Sequence, residues 1–171
     1  LVLIMKMYFT LCTFLIASAV FSQQTKVVDF KTISAELSFK PEKALVEGVA
    51  KVSFEILQST DSIFIDAKKM EISQVYSENK KVDFEYNNQQ IIYKTKFKVG
   101  KTYTLNINYK AHPTKALYFI DWNKDETHAE YHPQLWTQGQ GKYTSNWLPS
   151  IDDMNDKIEF DLSIIADEDY Y

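Results

Sequence analysis

Two groups of side chains in this sequence have types and spacings that could do chemistry. His128, Glu130 and His132 recur at i, i+2 and i+4. On a strand all three point to one face, and two imidazoles with a carboxylate make a known catalytic zinc set. They do not form a helical His-Glu-x-x-His motif, and Pro133 pushes His132 away from helical angles. Pairs of His on the polar face of a strand are common without metal, so no metal is assigned to them. Asp152, Asp153 and Asp156 surround Met154 and Asn155. They lack the alternating ligands and the turn glycine of a calcium loop. They read instead as turn formers ahead of a strand that begins at Ile158. No Gly-x-Ser-x-Gly elbow and no phosphate-binding glycine loop occurs.

These groups lie in or just beyond residues 116–149, which hold Trp122, Trp136 and Trp147, two of the three His and half of the Gly. Such a stretch between regular strands is where a site would sit, and equally where a sandwich closes its open end with a hydrophobic plug. The flanking sequence must position it, and that sequence alternates with period two. Ile33, Ala35, Leu37 and Phe39 oppose Ser34, Glu36 and Ser38. Val46, Gly48, Ala50, Val52, Phe54 and Ile56 oppose Glu47, Lys51, Ser53 and Glu55. Shorter strands are expected at 63–67, 72–77, 82–86 and 91–97, with a hairpin turn at Asn87-Asn88. Tyr103, Leu105, Ile107 and Tyr109 then alternate with polar partners, as do Ile158, Phe160, Leu162 and Ile164. Turn residues every eight to twelve positions between such runs predict an all-β, antiparallel sandwich.

Composition removes several function classes. The net charge is −4 and the 19 basic residues are all Lys, so there is no basic footprint for nucleic acid and no guanidinium fork. Lys6 precedes an apolar run from Met7 to Phe21, and Val20 and Ser22 suit the −3 and −1 sites of signal peptidase. Residues 1–22 are therefore expected to be a secretory signal, too short for the ~20 apolar residues of a stable membrane anchor. Translation is expected to start at Met5 or Met7, since residue 1 is Leu. The single cysteine, Cys12, lies in this leader, so the mature domain of residues 23–171 is expected to be exported without disulfides or thiol chemistry.

The run Trp136-Thr137-Gln138-Gly139-Gln140-Gly141, then Trp147-Leu148-Pro149-Ser150-Ile151-Asp152-Asp153, then the strand through Ile158, Phe160 and Leu162, resembles the N-terminal β domain of zinc aminopeptidases of the aminopeptidase N and leukotriene hydrolase family. The family pattern is a Thr-Gln-x-Gln/Glu loop, a Trp/Tyr-x-Pro stretch, an acidic pair and a Phe-Asp-Leu-like strand. Two departures are visible. Met154 stands where the family has Pro, and Gln140 where classical aminopeptidases more often carry Glu.

The resemblance implies a saddle-shaped β domain and zinc in the full-length enzyme, held in a downstream catalytic domain of the same polypeptide. Neither Gly-x-Met-Glu-Asn nor His-Glu-x-x-His occurs here, so residues 1–171 alone are expected to hold no zinc and to hydrolyse nothing. It also implies that Gln140 accepts a hydrogen bond from the substrate N-terminus. Gln138 would support the loop or the first side-chain pocket, with Gly139 and Gly141 as further substrate-binding residues of the same loop. The bland alternative is that both Gln satisfy backbone groups of a loop. A rival reading is a non-enzymatic binding module stacking carbohydrate on Trp122, Trp136, Tyr143 and Trp147. A third is a structural domain without a ligand.

Overall fold

A computed structural model describes residues 24–122 and 132–166. The leader over 1–22, His128 and Glu130 lie outside the described residues. Among those described, eleven strands form three sheets. The largest is built on β1 (Val28–Lys40), β2 (Leu45–Ile56), β4 (Met70–Ser77), β5 (Lys80–Lys81), β8 (Thr102–Ala111) and β11 (Glu159–Ile165), in the order β11-β1-β2-β8-β4-β5. A second sheet runs β3-β7-β6, from β3 (Ser62–Asp66), β6 (Glu85–Tyr86) and β7 (Gln90–Lys94). β9 (Leu117–Ile120) and β10 (Gln134–Thr137) pair as a separate ribbon. The protein is all-β, as the alternation requires. Pairing is antiparallel except that β11 lies parallel to β1, with Phe160, Leu162 and Ile164 opposite Ile33, Ala35 and Leu37.

Alternation puts one face of each long strand into a shared core. Val46, Ala50, Val52, Phe54 and Ile56 of β2 are buried against Leu105, Ile107 and Tyr109 of β8 and against Ile63, Ile65 and Ile91 of the smaller sheet. Each Val, Leu, Ile or Phe among them contributes about 1.5–3 kcal/mol on burial. Phe54 sits among rings, with centroids of Phe30 at 5.7 Å and of Phe97 and Tyr103 at 6.0 Å. Gly48 has its place because Leu37 and Tyr109 close over it. A Cβ there would meet the Glu36 carbonyl oxygen at 2.8 Å and the Leu37 side chain at 2.9 Å.

Two elements differ from the sequence expectation for physical reasons. β1 begins at Val28, five residues before the regular alternation, because a bulge between Phe30 and Thr32 shifts the buried set from Val28 and Phe30 to Ile33, Ala35 and Leu37. Beside this bulge the Phe30 amide donates to Asp156 Oδ2 at 3.3 Å. Partial burial raises the Asp156 pKa, against that hydrogen bond. Of the expected strand over 82–86 only Glu85 and Tyr86 form one, β6, which pairs with β7 in the small sheet, while β5 ends just before it at Lys81 and pairs with β4 in the large one. Val82 to Phe84 carry the chain from one sheet to the other.

The Asn87-Asn88 turn forms as expected. Asn87 Oδ1 accepts from the amides of Gln89 and Gln90, and Asn88 adopts φ 63°. This turn also fixes the connection between β3 and β4. The Ala67 amide donates to the Gln89 carbonyl at 2.8 Å and the Lys69 amide to the Asn88 carbonyl at 2.9 Å. Tyr86 Oη donates to the Ala67 carbonyl and accepts from the Met70 amide, and burial raises its pKa.

Candidate functional site

The Gln138–Gly141 loop leaves the end of β10, where Thr137 pairs with Leu117. Its entry is fixed by one carbonyl. Ala116, with φ 68°, aims its oxygen at both the Gln138 amide (2.8 Å) and Thr137 Oγ1 (2.5 Å). Beyond it Gln138 and Gln140 are exposed, and Gln138 Nε2 donates to Gln140 Oε1 at 3.3 Å. The two amides therefore meet on one side of the chain, as their i, i+2 spacing predicts. A carboxamide oxygen has two lone pairs, so Gln140 Oε1 keeps one for another donor. Gly141 adopts φ 79°, a conformation that favours glycine.

Gly139 lies against the Thr144 hydroxyl, and no positive φ calls for glycine there. A Cβ at this position would lie 2.4 Å from Thr144 Oγ1. Gly139→Ala in the full-length protein is thus expected to push the loop off Thr144 and cost activity by roughly three- to tenfold, equivalent to about 0.7–1.4 kcal/mol. Adding Thr144→Ala, which removes the clashing hydroxyl, should restore most of the loss. Steady-state rates for the single and double variants check this.

Past the loop the chain turns inward. Thr144–Asn146 form one turn of 3-10 helix, Ser145 is buried, and Trp147 and Leu148 join the core. The aromatic segment is thus plug and exposed loop in succession. Trp147 seals the sandwich and contributes nothing to a carbohydrate-stacking face. Trp136 is exposed and stacks on Tyr118, with ring centroids 4.5 Å apart. Trp122 Nε1 donates to the Gln134 carbonyl. Tyr143 is exposed beneath the Lys115 ammonium, 5.4 Å from the ring centroid.

The acidic cluster holds chain to chain. Asp153 Oδ1 accepts from both nitrogens of Asn155, and the Asn155 amide lowers the Asp153 pKa. The Asp152 side chain is 8% exposed and lies within 2.7 Å of Lys68 Nζ. In the sequence these aspartates read as local turn formers. The role of Asp152 does not show there because its partner Lys68 is 84 residues away, and no local pattern marks such a pair. His132 is exposed. Among the described residues no group of three or more His, Cys, Asp or Glu is arranged to hold a metal. The described residues therefore do not fit a zinc ion.

Residues 29–171 match the sequence profile of the peptidase M1 N-terminal domain. The chain belongs to that family. No curated protein matches it. Among solved structures, the M1 N-terminal domain fold recurs in leukotriene A4 hydrolase from Saccharomyces cerevisiae, with TM-score 0.67 and 18% identity over 81% of this chain and 23% of that one. It recurs in an M1 zinc metallopeptidase mutant from Deinococcus radiodurans bound to a Tyr-Ser-Ala substrate, with TM-score 0.63 and 15% identity over 81% of this chain and 32% of that one. The chain thus spans about a quarter to a third of the length of these relatives. The likeness at such identities is one of fold. Within it, the M1 domain presents Gln138 and Gln140 on an exposed loop braced at both ends.

Proposed function

We propose that this M1 N-terminal domain supplies the amine-recognition loop of an exported zinc aminopeptidase. Its partner is the catalytic domain of the same polypeptide, and the zinc is bound by residues outside those described here. The observation that carries the reading is the Gln138–Gln140 pair. One amide orients the other, leaving the Gln140 carbonyl oxygen exposed with a free lone pair. A peptide ammonium is the donor best matched to it, because a hydrogen bond from a charged donor contributes about 1.5–3 kcal/mol. Gln138 holds that oxygen in place, while Gly139 and Gly141 let the loop turn without side chains in the way. Residues 1–22 act as the export signal and are removed before Gln23. Fold and family membership support the reading, and the negative net charge argues against nucleic acid as a partner.

The test is an activity profile of the full-length protein. It should release residues from peptides with a free N-terminus and leave N-acetylated copies intact. Chelation should abolish the activity, and added zinc should restore it. A protein inert towards free peptides that instead binds glycan arrays would overturn the proposal.

A further inference from the structure

We infer that Asp152, acting through Lys68 and Ser145, is the positioning residue of the Gln138–Gly141 loop. The inference rests on the amine-recognition reading and adds to it the device that sets where Gln140 stands. The Asp152 carboxylate is largely buried and collects three donors. Oδ2 accepts from Lys68 Nζ at 2.7 Å and from Ser145 Oγ at 2.5 Å, while Oδ1 accepts from the Ser145 amide at 3.4 Å.

Each contact leads back to the loop. Lys68 Nζ also donates to the carbonyl of Lys142, the residue after Gly141, at 2.9 Å. Ser145 follows Thr144, whose hydroxyl occupies the space beside Gly139. The exit of the loop is therefore pinned through Lys142 and Thr144, as its entry is pinned by the Ala116 carbonyl. Asp152 touches neither Gln138 nor Gln140 in any of these bonds, so its influence on them is indirect.

The anchor is itself anchored. The Asp152 amide donates to Asp66 Oδ2 at 2.8 Å, and Gln90 Nε2 donates to Asp66 Oδ1 at 2.9 Å. Asp66 and Ser150 exchange backbone hydrogen bonds at 2.8 and 2.9 Å, extending the edge of β3. Lys68 is held by its own amide, which donates to the Ser145 carbonyl at 2.7 Å, and by its neighbours on the Asn87-Asn88 turn. Both partners of the ion pair start from rigid backbone, so little side-chain freedom is lost in making it. Removing the carboxylate leaves the half-buried Lys68 ammonium without its counter-charge and the Ser145 hydroxyl without its acceptor. The loop exit then keeps the Thr144 turn and the Lys68 amide's bond to the Ser145 carbonyl, but loses the charge that holds Lys68 Nζ against Lys142 and the acceptor that holds Ser145 Oγ.

The experiment uses the full-length protein as wild type, Asp152→Asn, Ser145→Ala and Gln140→Ala. Two quantities are read. One is hydrogen exchange over residues 137–148 against β1, β2 and β8. The other is the affinity advantage of a free-amine peptide over its desamino analogue. Asp152→Asn is expected to speed exchange over 137–148 by tenfold or more without moving β1, β2 or β8. It should cut the amine advantage by roughly five- to twentyfold, with Ser145→Ala giving a smaller change in the same sense. A destabilised domain would raise exchange everywhere. If Asp152→Asn does so, Ser145→Ala decides alone. Unchanged exchange over 137–148 overturns the inference, as does a loosened segment with an intact amine advantage while Gln140→Ala abolishes it. If Gln140→Ala leaves the advantage intact, the amine reading fails, and the exchange result still upholds or overturns the hold of Asp152 on the loop.

Discussion

Gln140→Ala in the full-length protein is expected to lower kcat/KM on peptides with a free N-terminus by roughly ten- to a hundredfold. The figure follows from the loss of one hydrogen bond to a charged donor, about 1.5–3 kcal/mol, at a factor of ten for each 1.4 kcal/mol. The exposure of Gln140 matters to this estimate, because its side chain supports no core residue whose loss would confuse the result. A desamino peptide lacks the donor, and its affinity should change by less than about threefold. Gln140→Glu places a negative charge opposite the ammonium and should preserve or improve activity unless desolvation of the carboxylate cancels the gain. Gln138→Ala acts through orientation of Gln140, so it should produce a smaller loss that still distinguishes amine from desamino ligands. Equal losses on both ligand types for Gln140→Ala would reduce this residue to a structural part of the loop.

Phe54→Ala carries the largest expected effect on stability, about 3–5 kcal/mol. Phe54 is fully buried at the centre of the aromatic group formed by Phe30, Phe97 and Tyr103. Its removal leaves a cavity on the buried face of the large sheet, and the hydrogen-bonded ladders that hold Phe30 and Tyr103 on either side keep the strands from closing it. Val99→Ala is the control. Val99 is 60% exposed, and its truncation should cost no more than about 0.5 kcal/mol. Urea titration of residues 23–171 measures both. A Phe54→Ala midpoint equal to that of Val99→Ala would contradict the packing described.

What could be read from the sequence depended on whether a signal was local. β2 and β8 announce themselves, because alternation sustained over most of each strand reports one buried face. The first part of β1 is hidden by its own bulge. One extra residue near Lys31 flips the buried parity, and a strict period-two reading starts only at Ile33. Residues 82–86 read as one strand because alternation does not show where the chain leaves the large sheet after Lys81 and joins the small one at Glu85.

The same distinction holds at the site. Gln138 and Gln140 are legible as a pair because their geometry follows from spacing in an extended chain. Gly139 and Gly141 stand out only through the resemblance, and the structure alone separates a glycine packed against Thr144 from one with a positive φ. Lys68, Asp66 and Ser145 are not legible, since they meet Asp152 only through the way β3 packs against the segment that follows the loop. Trp147 could be read equally as plug or platform, and its burial decides for the plug.

The central claim is that Gln140 Oε1 receives the N-terminal ammonium of a peptide. The most direct measurement is a crystal structure of the full-length protein with a free-amine peptide bound. The account predicts the peptide's terminal nitrogen about 2.7–3.2 Å from Gln140 Oε1, with Gln138 Nε2 still oriented towards the same oxygen. A terminal nitrogen held wholly by other groups, with Gln140 bonded to Gln138 alone, would contradict it.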